Sequence, residues 1–159
     1  GQSLLINAHN GNIYYWDYDS GLTSRAVPLS SLAGTDGFAP TVAKQVMVSD
    51  QAAHTIVFGC DPETSIGTQD PMLIRFSSVV NSRAESLTVW KTEETNSAGD
   101  LVLGSGSEIV TAVETKQQII VLTDTSVYSL QFLGPPLTYG VNMVSNNITV
   151  AGSFSTFSI

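Results

Sequence analysis

Three times along this chain, a short apolar run, a polar turn and an outgoing run rich in aromatic or β-branched residues follow one another. In the first unit Leu4-Leu5-Ile6 leads through His9-Asn10-Gly11-Asn12 to Ile13-Tyr14-Tyr15-Trp16. Asn10-Gly11 between apolar runs is a strong hairpin signal, because both residues tolerate positive φ, and it predicts a type I′ turn. The second unit is Val46-Met47-Val48, a turn around Asp50-Gln51-Ala52-Ala53, and Thr55-Ile56-Val57-Phe58. The third is Ile119-Ile120-Val121-Leu122, a turn at Asp124-Thr125-Ser126, and Val127 to Phe132. Each ends in turn chemistry, at Asp19-Ser20-Gly21, Gly59-Cys60-Asp61-Pro62 and Gly134-Pro135-Pro136. A chain patterned this way folds as antiparallel β structure.

The spacing of the units adds to this. Leu4 and Val46 lie about 42 residues apart, close to the length of one four-stranded propeller blade. From Val46 to Ile119 the gap is about 73, which fits neither one such period nor two. The excess falls in Asp61 to Gly106, which holds two candidate strands, Met72 to Phe76 and Leu87-Thr88-Val89-Trp90, and the polar stretch Glu93 to Asp100. The third unit reads as a meander: Ile109 to Val113, a turn at Glu114 to Gln117, the Ile119 hairpin, then Leu137 to Val144 and Ile148 to Ala151. No segment carries a capped 3.6-residue apolar period, and one short helical turn is expected near Leu29-Ser30-Ser31-Leu32. The expectation is an all-β fold of antiparallel hairpins and meander, part of a β-propeller-like domain, with less than about a tenth of its residues helical. Residues 1–159 read as a single all-β domain or as a fragment of a longer β-propeller protein. Three points carry the fragment expectation: the start at Gly1, the strand-like end Phe154 to Ile159, and three units where a closed propeller needs at least four blades.

Charge narrows the function classes. Fourteen acidic against six basic residues give a net charge of −8, and the basic ones (Arg25, Lys44, Arg75, Arg83, Lys91, Lys116) are scattered singly. No basic stripe is available to neutralise a run of phosphates, so sequence-specific nucleic-acid binding is not expected. No apolar run approaches the roughly 18 residues of a membrane helix. The single cysteine, Cys60, excludes an internal disulfide. From Thr125 to Ile159 there is no charged residue at all. Such a stretch is expected either to form a buried sheet or to be covered by the rest of the protein or a partner.

Tests for reactive constellations fail one by one. Asp17-Tyr18-Asp19-Ser20-Gly21 begins like a calcium loop but has Leu22 and Pro28 where the glycine and the closing glutamate belong, so it reads as a turn. Leu103-Gly104-Ser105-Gly106-Ser107-Glu108 lacks the Lys-Ser/Thr of a phosphate loop and enters a strand, so it too reads as a turn. There is no GxSxG elbow. His9 and His54 fall in or beside turns of separate hairpins and read as surface residues, and a zinc site has no HxxxH or CxxC to rest on. No pair among the acidic residues stands out for glycoside hydrolysis. The expectation is therefore no enzyme, with no catalytic, cofactor-binding or metal residues. The run Tyr14-Tyr15-Trp16-Asp17-Tyr18 could stack on sugar rings. In a strand, though, Tyr14, Trp16 and Tyr18 share one face and Tyr15 the other, which suits a strand between neighbouring blades. Asn147-Ile148-Thr149 matches a glycosylation sequon by pattern alone.

Several longer strings, in order, carry a resemblance. They are Asn10 to Asp17, Thr68 to Ser77, Asn96-Ser97-Ala98-Gly99 with Leu103 to Ser107, and Val121 to Phe132 with Gly134-Pro135-Pro136, Tyr139-Gly140 and Asn147 to Gly152. Together they resemble virion structural proteins of tailed bacteriophages, in particular β-propeller-bearing proteins of the tail and portal-vertex end. Packaged-DNA stabilisation proteins and tail nozzle proteins are the nearest classes. The resemblance implies a structural component, located in the virion, that assembles with copies of itself and neighbouring tail or portal-vertex proteins to close or extend the tail channel, without catalytic residues. Two other classes compete with it. One is a carbohydrate- or receptor-binding β module using Tyr14 to Tyr18 and Trp90; the other is an enzyme, such as a glycan hydrolase, on a propeller scaffold.

Overall fold

Short apolar runs separated by Gly, Asn, Asp and Pro have room only for short strands, and the computed structural model, which describes residues 2–146, has eleven of them. Ile148 to Ala151, Phe154 to Ile159 and the Asn147 sequon lie outside the described residues. The protein is nearly all-β, with 38% strand and 7% helix. Strands β1 (Leu4–Asn7), β2 (Ile13–Trp16) and β3 (Val27–Pro28) form the first sheet. Strands β4 (Gln45–Val48), β5 (Thr55–Phe58), β6 (Leu73–Phe76) and β7 (Gly99–Val102) form the second. Strands β8 (Ile109–Glu114), β9 (Ile119–Thr123), β10 (Val127–Gly134) and β11 (Thr138–Ser145) form the third. Every pairing is antiparallel and joins strands consecutive in the chain. Each sheet is thus a meander, and none closes into a barrel.

The second sheet is the middle layer. Side chains alternate across a strand, so Ile56, Phe58, Ile74 and Phe76 point to one side, into a core shared with Ile109, Ala112, Ile119, Val121, Tyr128 and Leu130 of the third sheet. Val57 and Leu73 point to the other, into a core with Ile13 of the first sheet and with Leu29, Ala39, Ala43, Cys60 and Trp90. β5 and β6 are buried along their whole length, and burying each such apolar side chain stabilises by about 1.5–3 kcal/mol. The order of sheets in space follows their order in the chain, as in successive propeller blades.

Two local expectations need correction. The Asn10-Gly11 loop is not a type I′ turn: only Asn10 has positive φ (55°), and residues 8–12 join the strands through a Gly11 N–H donated to the Ala8 carbonyl at 2.6 Å. Gly11 is held extended by a bridge to Ala43, which an I′ turn would not allow, and a Cβ there would lie 3.1 Å from Ala8 Cβ. Leu87 to Trp90 is not a strand. A four-residue helical turn, α1 (Glu85–Thr88), occupies its start. The Asp36 carboxylate then accepts the N–H groups of Trp90 at 2.6 Å and Lys91 at 2.7 Å, while Trp90 enters the core between the first two sheets. That carboxylate replaces a ladder partner. The short helical turn expected near Leu29 is a 3₁₀ turn over Leu29–Ser31.

Candidate interaction surfaces

The first sheet uses one face for the core and turns the other outward. Strand register puts Leu4 opposite Trp16 and Ile6 opposite Tyr14 on the outer face, with Leu5 and Tyr15 on the inner. Leu4 and Ile6 are 51% and 44% exposed, and Tyr14 and Trp16 are half-buried. Trp16 is fixed by an Nε1–H donated to the Ser24 carbonyl at 3.1 Å and by an edge contact with Tyr18. Tyr18 itself lies in a 3₁₀ turn (Tyr18–Ser20) rather than in the strand. The Asp17 carboxylate that starts this turn accepts the Ser20 hydroxyl at 2.8 Å, which holds it below the usual carboxylate pKa. The Asp17 to Gly21 segment is thus a capped turn, as its residue types predict.

The charge-free C-terminal half of the third sheet carries a second apolar surface. Phe132, Leu133 and Leu137 at the β10–β11 turn are 42%, 55% and 68% exposed, and Met143 and Val144 on β11 are 49% and 62% exposed. The uncharged stretch is therefore not simply a buried sheet: its inner residues Tyr128, Leu130 and Tyr139 are in the core, and its turn and edge are uncovered among the described residues. The turn rests on an aromatic cluster, with Tyr139 5.0 Å from Phe76, 5.4 Å from His54 and 5.6 Å from Phe132 between ring centres. Beside it lies a cleft of about 510 Å³ between Pro135, Pro136, Thr138, Val80 and the loop from Thr92 to Ala98.

The residues weighed for chemistry are dispersed. His54 is not a surface turn residue as its position suggests. It is 1% exposed and donates Nδ1–H to the Ser77 carbonyl at 2.6 Å, because the Ala53 turn (φ 60°) drives the ring inward. Burial lowers its pKa against the opposing pull of that carbonyl. His9 is exposed on the β1–β2 loop. Cys60 is buried between the first two sheets, where desolvation pushes its thiol far up and makes thiolate chemistry unfavourable. Leu103 to Glu108 is a turn: Ser107 donates both its N–H and its hydroxyl to Asp124, which lowers the Asp124 pKa, and Ser105 N–H donates to the Tyr128 hydroxyl at 2.7 Å. Trp90 is 1% exposed and does not reach the surface carrying Tyr14 and Trp16.

Two buried charges escaped the sequence reading. Asp61 accepts Thr41 N–H at 2.9 Å, Thr41 Oγ1 at 2.7 Å, Val42 N–H at 3.2 Å and Gly67 N–H at 2.7 Å. Arg75 donates to the carbonyls of Phe38, Asp61 and Trp90 and lies 5.9 Å from the Trp90 ring. Their partners are up to 37 residues away, so no local motif announces them. They tie loops together at the junction of the first two sheets. Among the described residues no three His, Cys, Asp or Glu side chains gather as a metal site would require, and no helix is long and apolar enough to cross a membrane. The chain matches no model of a known protein family, and no curated protein is significantly similar to it.

Proposed function

We propose that this chain is a structural component of a tailed-phage virion at the tail or portal-vertex end, assembling with copies of itself and neighbouring tail proteins to close or extend the tail channel. One observation carries the assembly part. A protein of net charge −8 exposes an uncharged apolar turn and edge, from Phe132 to Val144, on a well-packed sheet. Interface cores are depleted of charge in this way, and exposed apolar patches mark contact sites. The virion part rests on the resemblance of the ordered strings from Asn10 to Gly152. The basic residues favour no grip on nucleic acid: Arg75 is buried and Lys44 is paired with Glu108 at 3.0 Å. The test is antibody labelling of purified particles from the source lysate, with peptide mass spectrometry of the same fraction. Labelling at one vertex is the expected result, and absence of the chain from particles overturns the proposal.

A second reading, a carbohydrate- or receptor-binding module, has one observation in its favour: the outward Tyr14, Trp16 and exposed Tyr18. Binding to a glycan array that is lost in Trp16→Ala would replace the first reading with this one.

A further inference from the structure

We propose that the cleft beside the β10–β11 turn docks an extended segment of a partner protein through a lysine or arginine flanked by apolar residues. The inference goes beyond the assembly reading and does not depend on the virion. At about 510 Å³ the cleft has the size of a ligand site. Val80, Pro135 and Pro136 supply its apolar lining, and Glu93 and Glu94 supply its charges. Thr138 Oγ1 donates to the Ser97 carbonyl at 3.1 Å and so ties the turn of the third sheet to the loop of the second. Ser97 Oγ in turn accepts the Val79 N–H at 3.1 Å. Asn96 holds the loop from within: its Oδ1 accepts the Ala98 N–H at 3.1 Å, and its Nδ2 donates to the Lys91 carbonyl at 2.9 Å. The walls are therefore formed before anything binds, and binding does not have to order them.

Charge complementarity selects the chemistry of the occupant. Glu93 lies 3.1 Å from the Lys91 ammonium, with both side chains about half exposed. Glu94 has no ion pair or hydrogen bond among the described residues. Glu63 joins them from the next loop, where its carboxylate accepts the Thr92 N–H at 3.0 Å. Three carboxylates thus stand around one ammonium, a surplus that attracts a cation and repels an anion.

A lysine or arginine side chain has both parts that this cleft asks for: an aliphatic stem that covers apolar surface and a charged head that stays at the rim. The apolar surface extends past the cleft onto Leu137, which follows Pro136 in the chain and is 68% exposed. That length suits a chain segment with apolar residues beside its cation rather than a free amine. The net charge of −8 adds a long-range pull on a basic partner and a push on another copy of this chain.

The experiment is an NMR titration of the full 159-residue chain with an octapeptide of alternating leucine and lysine, the matching leucine–glutamate octapeptide, and the free diamine cadaverine. With the lysine peptide, amide shifts are expected at Val80, Thr92 to Ala98 and Thr138. Glu93→Gln combined with Glu94→Gln is expected to weaken that binding about fivefold. Val80→Ser, on the apolar lining, is expected to weaken it about threefold. Asp19→Asn combined with Asp50→Asn removes the same charge elsewhere and is expected to change it less than about twofold. Absence of shifts at the cleft, equal binding of the glutamate peptide, or a diamine that binds as tightly as the lysine peptide overturns the proposal. So does unchanged binding in Val80→Ser, or a loss in the Asp19 and Asp50 control equal to that at Glu93 and Glu94. Cleft shifts that follow protein concentration alone make the occupant a second copy and overturn it too. Absence of the chain from particles removes the virion reading and leaves this result standing.

Discussion

Arg75 shows what one side chain does at the junction of the first two sheets. It is 2% exposed, and its charge is offset by the carbonyls of Phe38, Asp61 and Trp90 rather than by a carboxylate. Removing the guanidinium leaves buried carbonyls without donors, at about 1–3 kcal/mol for each unsatisfied group. Arg75→Met is therefore expected to lose at least about 3 kcal/mol in urea unfolding. A loss under 1 kcal/mol would show that water reaches those carbonyls. His54 gives a pH dependence. Its folded pKa is lowered by burial, so the folded state favours the neutral ring. Its stabilising share is complete above the unfolded value near 6.5 and is lost as pH falls from there toward the folded pKa. Unfolding free energy is expected to drop below about pH 6.5, and His54→Gln to remove that step from the profile.

At the scale of elements, turns decide more than strands do. Gly106 has φ 113°, and a Cβ there would lie 2.6 Å from Thr123 Oγ1 and 2.7 Å from Asp124 Oδ1. Both the backbone angle and the space demand glycine. Gly106→Ala is expected to cost about 1–3 kcal/mol and to return the Asp124 pKa toward its ordinary value, because Ser107 can no longer donate to it. Thermal unfolding and a carboxyl-carbon NMR titration read the two effects separately. The strands were legible where apolar runs met turn residues: β4, β5, β9 and β10 stand where the pattern predicts them. Leu87 to Trp90 departs from the strand expectation because Leu87 and Thr88 close α1, and the extended Val89 and Trp90 that follow have no strand beside them among the described residues. The distant Asp36 carboxylate takes the N–H groups of Trp90 and Lys91 that a ladder would have used, a partner no local pattern shows.

For the whole molecule, the second sheet couples the other two. Phe58 packs into the core shared with the third sheet, and Leu73 into the core shared with the first. Phe58→Ala and Leu73→Ala are expected to cost about 3–5 and 2–5 kcal/mol. Both should lower a single cooperative transition, since neither outer sheet has a core without the middle one. Two separable transitions in calorimetry would show that the sheets fold independently.

The antiparallel all-β class and the meander of the third sheet were determined by the sequence alone. Both follow from local rules: period-two burial and turn residues between apolar runs. The tertiary structure decided which layer lies in the middle, that His54 turns inward, that Asp61 and Arg75 tie remote loops, and which part of the uncharged stretch stays outside. These depend on contacts between residues tens of positions apart, and a one-dimensional pattern carries no record of which distant partner satisfies a buried donor or acceptor.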